Sequence, residues 1–149
     1  MKSRLLELIE LERHGSYVFH GSGKSHKQLE PRQAYTVVDG QSVKDGDPAI
    51  FASELVDYAI FMALIGVNWI KGCRASCNFE NNRLIFGANQ LTIEQLTDST
   101  IGFVHVLERR KFEPRGGIEW LCKSVVKPSQ VLQVSVDDFH RTINILSDP

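Results

Sequence analysis

The residues best suited to bind or react lie early in the chain, in Ser16-Tyr17-Val18-Phe19-His20-Gly21-Ser22. Tyr17, Val18 and Phe19 have the aromatic and β-branched character of a strand. That strand delivers His20, whose imidazole both donates and accepts hydrogen bonds, and Gly21, whose bare backbone lets a ligand come close. The pairing suits a ligand-binding edge; the plainer alternative is that His20 caps a strand ahead of a glycine-rich turn. Arg32 follows in Leu29-Glu30-Pro31-Arg32-Gln33-Ala34, where Pro31 biases the backbone toward extended or turn forms. Its guanidinium can hold a phosphate through two parallel hydrogen bonds, against the alternative of a solvated arginine.

Two further patterns point to chemistry and then fail. Gly21-Ser22-Gly23-Lys24-Ser25 looks like the tail of a phosphate-binding P-loop. The full motif needs a glycine where Val18 stands and a helix directly after the lysine, which Pro31 soon cuts off. Gly23 to His26 therefore reads as a flexible loop. Cys73 and Cys77 have three residues between them and no second pair or histidine at zinc-finger spacing, so no metal site is expected.

The elements that must carry these groups follow from periodicity and breakers. Residues 3–13 read as an amphipathic helix with Leu5, Leu8 and Ile9 on its apolar side, stopped by His14 and Gly15. After the strand at 17–22, residues 36–48 read as a polar, turn-rich loop around Asp39-Gly40 and Asp45-Gly46-Asp47-Pro48. Ala49-Ile50-Phe51-Ala52 reads as a buried strand. Ser53 then offers an N-cap and Glu54 a first-turn acid for a helix over 54–65, which is apolar almost all round and so should be buried. Residues 66–82 are mixed, 83–87 read as a strand, and 89–98 as a turn or short helix. Strands are expected over 102–107, 118–122 and 131–136, with a turn-rich loop over 112–117. Asp137 and Asp138 open a last short helix bearing Phe139, Ile143 and Ile145. The tally is α+β, with the strands carrying the architecture.

Composition bounds the rest. The 149 residues suit one domain, 1–149, with a single sizeable core. A formal net charge of −1 gives no global field toward nucleic acid or membrane, though it leaves a local basic groove open. Three cysteines form no framework, which favours a reducing compartment. No leader-like opening and no bilayer-length apolar run is present, so a cytoplasmic protein with no membrane partner is expected.

Three pieces occur in order: His20-Gly21-Ser22 at a strand end, Ile50-Phe51-Ala52-Ser53 running into a helix that bears an aromatic, and Ile118-Glu119-Trp120 followed by Val126-Lys127-Pro128 and a hydrophobic strand. This order resembles the ADP-ribosyltransferase superfamily of poly-ADP-ribose polymerases and bacterial toxins, with its His-Tyr-Glu triad, over most of the chain from about Tyr17 to Val136. The resemblance implies a pair of packed, mostly antiparallel sheets with flanking helices and an NAD-binding cleft. It implies that His20 and Ser22 hold an NAD ribose, that the Gly21 backbone binds the nicotinamide carboxamide, and that Arg32 contacts the pyrophosphate. Tyr58 would stack on the nicotinamide, with Phe51 and Ser53 also at the cofactor.

Glu119 would be the catalytic carboxylate, beside His20. Breaking the ribose–nicotinamide bond develops positive charge on the sugar, which a preorganised carboxylate stabilises. Phe51 stands where many members have tyrosine, and Gly117 where toxin-type members have a glutamate or glutamine that orients a protein acceptor. The acceptor, protein or nucleic acid, stays open. So do two other readings: a non-catalytic NAD or nucleotide-binding module of the same fold, and an α+β interaction protein.

Overall fold

The computed structural model describes residues 4–65 and 70–148; the expected helix start at Ser3 and part of the mixed region, 66–69, lie outside them. In order come α1 (Arg4–His14), β1 (Tyr17–Ser22), β2 (Tyr35–Val38), β3 (Gln41–Lys44), β4 (Ile50–Ser53), α2 (Val56–Ile65), β5 (Ala75–Glu80), β6 (Arg83–Asn89), α3 (Gln90–Glu94), β7 (Ile101–Glu108), β8 (Glu113–Gly116), β9 (Glu119–Cys122), β10 (Gln130–Ser135) and β11 (Ile143–Leu146). The class is α+β, with mostly antiparallel sheets and few helices.

The main sheet has six antiparallel strands in the order β10-β7-β1-β4-β9-β8. A second sheet, β11-β6-β5, joins β11 to β6 in parallel. Helix α2 lies between the two. Val56, Ala59, Ile60, Ala63 and Leu64 pack with Phe19, Val104, Val106 and Leu132 of the main sheet and with Leu5 and Leu8 of α1. Phe61 and Ile65 pack with Leu84 and Phe86 of the second sheet. The helix is apolar all round because both its flanks meet a sheet.

The other face of the main sheet carries its own core of Val18, Ile50, Ala52, Leu107 and Cys122, roofed by Leu29, Phe112 and Val126. A backbone bridge between Leu29 and Val126 holds that roof down.

Both long helices begin on carboxylates borrowed from elsewhere. The Leu5 N–H donates to Asp138 Oδ1 at 3.2 Å, and the Val56 N–H to Glu12 Oε2 at 2.9 Å. Each satisfies an amide that a helix start leaves unpaired. Ser53 Oγ accepts the Leu55 N–H at 3.1 Å, as its capping position suggests.

Three expectations need correction. Residues 36–48 are not a plain loop: β2 and β3 form a hairpin around Asp39 and Gly40, whose φ values of 51° and 77° suit a two-residue I′ turn. Residues 113–116 form the edge strand β8. Asp137 and Asp138 sit in a single 3-10 turn, and Ile143 and Ile145 belong to β11.

Candidate functional site

β1 meets β4 through the pair Phe19–Ser53 and then parts from it. His20, one residue further on, turns its imidazole into that parting. Its Nδ1 lies 2.6 Å from the Phe51 carbonyl oxygen. A carbonyl only accepts, so Nδ1 carries the proton and Nε2 of the neutral ring presents a lone pair. Burial pushes the His20 imidazole below its ordinary range, opposed by the Phe51 hydrogen bond and reinforced by His26 and Arg32. His20 is thus a fixed acceptor suited to a hydroxyl.

The imidazole opens into a cleft of about 480 Å³ lined by His20, Ser22, His26, Gln28, Glu30, Arg32, Gln33 and Phe51 among others. That size is within the ordinary range for small-molecule sites. The loop that forms its wall is pinned at three places. Ser22 Oγ accepts the Lys24 N–H at 3.2 Å and shares a 3.2 Å hydrogen bond with His26 Nε2. The His26 N–H donates to His105 Nε2 at 3.0 Å. Arg32 pairs its backbone with Ala49, placing its exposed guanidinium at the rim.

His105 is the buried partner of the cluster. It sits directly opposite His20 on β7, and its Nδ1 donates to the His20 carbonyl at 3.1 Å. Both ring nitrogens are therefore occupied and the ring is neutral. Burial pushes this imidazole down to about 4.

Of the residues expected at the site, the cleft gathers His20, Ser22, Arg32 and Phe51, the last through its carbonyl. Gly21 is a packing residue: a Cβ there would stand 2.0 Å from the Ala59 carbonyl oxygen of α2. Ser53 is fully buried and spends its hydroxyl on the helix start. Tyr58 packs on the α2 flank that meets the second sheet.

Glu119 does not join His20. It is the direct partner of Ser53, which is the partner of Phe19, and residues opposite one another project to one face. Phe19 faces α2; His20, the next residue, projects the other way. Glu119 instead pairs with Arg115 at 3.6 Å. Its charge also helps burial to raise the Tyr58 phenol. Neither neighbour lines the His20 cleft; Arg115 lies over the Phe51 ring, 5.2 Å from its centroid, while the cleft takes the Phe51 carbonyl. The carboxylate that lines the cleft is Glu30, which accepts from Gln28 at 3.4 Å.

Sequence reasoning missed His26, His105 and Glu30. Strand alternation within 101–108 marks His105 as sharing a face with the other odd positions, but its place opposite His20 is a property of pairing. Among the described residues no group of three His, Cys, Asp or Glu side chains is arranged to hold a metal ion, and no helix is long and apolar enough to cross a membrane. Comparison of the chain with family models, curated proteins and solved structures finds no match.

Proposed function

We propose that this chain is a nucleotide-binding module of ADP-ribosyltransferase-like design whose His20 cleft takes NAD. The observation that carries the reading is the convergence of His20, Ser22 and Arg32 on one cleft of about 480 Å³. The unprotonated Nε2 of His20 accepts a ribose hydroxyl, and Arg32 at the rim meets the pyrophosphate. Phe51 contributes its carbonyl to the orientation of His20, so that orientation needs no side-chain hydroxyl at position 51.

The face assigned to Glu119 favours binding over glutamate-assisted turnover. A transferase or glycohydrolase working in this cleft has Glu30 to draw on for stabilising a developing sugar cation. Calorimetry with NAD and an assay for nicotinamide release test both levels. Saturable binding without nicotinamide release is the expected result. Release that persists in Glu119→Gln and disappears in Glu30→Gln would make the protein an enzyme with Glu30 at its centre. Absence of any heat or thermal shift with millimolar NAD would remove the reading altogether.

A further inference from the structure

A second and larger cavity, of about 660 Å³, lies at the other end of β1 and shares no lining residue with the His20 cleft. Trp120 is part of its lining, and Arg109 lays its guanidinium over that indole, 5.5 Å from the ring centroid. One flank of Trp120 packs on the core that roofs the His20 face of the sheet. Tyr17 and His14, with ring centroids 5.7 Å apart, also line it.

Three cations follow one another in the 3-10 turn Arg109–Lys111. Glu108 is the carboxylate that answers them, at 2.6 Å from Arg110 and 3.6 Å from Lys111. Among the described residues no carboxylate pairs with Arg109. The turn is rigidly placed, because the Arg109 N–H donates to Ser16 O at 2.9 Å and the Phe112 N–H to Arg109 O at 2.9 Å. A chain with a formal net charge of −1 thus sets three cations against one carboxylate beside an aromatic side chain.

We propose that this cavity binds single-stranded nucleic acid. Arg110 and Lys111, exposed along the turn, match a phosphodiester backbone, and the Arg109 guanidinium, backed by the Trp120 indole, offers its outer plane as a stacking surface for a base. Duplex fits poorly, because a base must leave its stack to lie against that guanidinium plane. An acidic peptide would satisfy the cations but would leave the stacking plane unused. The site is independent of what enters the His20 cleft, although Tyr17 and His20 are only three residues apart on β1, or ~10 Å. A bound strand would therefore run close to that cleft.

Fluorescence anisotropy of a short fluorescein-labelled single-stranded oligonucleotide, at low salt and without NAD, tests the proposal. Binding is expected to exceed that of the matching duplex and to fall at least about tenfold in Arg110→Ala/Lys111→Ala. In that variant the slope of log affinity against log salt should shrink by about 1.4, because roughly 0.7 is lost per phosphate contact on a single strand. Both side chains are exposed, so folding is not at stake. Trp69 and Trp120 are the chain's two tryptophans, so a Trp69→Phe background isolates Trp120, whose emission should be quenched by the same oligonucleotide. Equal binding by the double variant, preference for duplex, or equally effective competition by poly-glutamate would each overturn the proposal. Because no NAD is present, any of these results leaves the NAD reading standing, and a failure of NAD to bind leaves this one standing.

Discussion

The N–H of His26 donates to Nε2 of His105 across 3.0 Å, tying the loop that leaves β1 to the middle of β7. The bond requires a neutral His105, and burial supplies that by pushing the imidazole down to about 4 from an ordinary 6.5. The unfolded chain takes up this proton near 6.5, whereas the folded chain refuses it until about 4. The stabilisation is therefore complete above the unfolded value and is lost as pH falls through that window. It amounts to on the order of 3 kcal/mol. Urea midpoints measured across the window should fall with pH in the parent protein. They should fall much less steeply in His105→Gln, which keeps a donor and an acceptor but cannot titrate. An unchanged slope in that variant would rule His105 out as the source.

Gly21 and Gly102 let α2 press onto the main sheet. A Cβ at Gly21 would meet Ala59 O at 2.0 Å and Ala63 N at 2.7 Å, and one at Gly102 would meet Ala63 O at 2.3 Å. These are backbone atoms of a helix packed on both flanks, so neither side can yield cheaply. Gly21→Ala should cost at least ~2 kcal/mol of stability in urea unfolding, as overpacking of a filled core does. Gly102→Ala should behave alike. A Gly21→Ala protein as stable as its parent would show that α2 is not seated against β1 as described.

Glu12 joins α1 to α2 by accepting the Val56 N–H at 2.9 Å. Burial raises its carboxyl, the Val56 bond opposes this, and Asp57 and Glu54 push it further up. Glu12→Ala leaves the helix start unpaired and should cost ~1 kcal/mol. Glu12→Gln keeps an oxygen for Val56 and removes the repulsion, so its urea midpoint should lie close to the parent's. If the two variants are equally destabilised, the carboxylate charge rather than the hydrogen bond is what matters.

Much of this architecture is written locally. The apolar residues around 54–65 announce a buried helix, and His20 at a strand end marks one wall of the cleft. What escaped are features set by pairing. The β2–β3 hairpin is exposed on both strands, so no buried face gives it a period, and only Asp39-Gly40 betrays it. Asn81 and Asn82, with φ of 51° and 61°, likewise close the β5–β6 hairpin inside a stretch that reads as mixed. Strand β11 exists because it adds in parallel to β6, more than fifty residues earlier, which no local pattern encodes. The separation of Glu119 from His20 has the same origin. Both lie in stretches that read as strands, and only the pair Phe19–Ser53 followed by Ser53–Glu119 decides that they project to opposite faces.

Arg32 offers the sharpest separation of ligand binding from folding. Its backbone holds the cleft wall through Arg32 N–H to Ala49 O at 3.1 Å and the return bond at 3.0 Å, while its guanidinium is exposed at the rim. A side chain placed in this way contributes little to stability, so Arg32→Ala should unfold at the parent's urea concentration. If the guanidinium meets the pyrophosphate, the same variant should bind NAD about tenfold to a hundredfold more weakly, the usual loss for a charge-assisted pair. Arg32→Lys retains the charge but not the two-pronged geometry and should fall between the two. Titration calorimetry of the three proteins reads this directly. Parent-like affinity in Arg32→Ala would place the phosphates elsewhere, and with them the orientation of the nucleotide against His20.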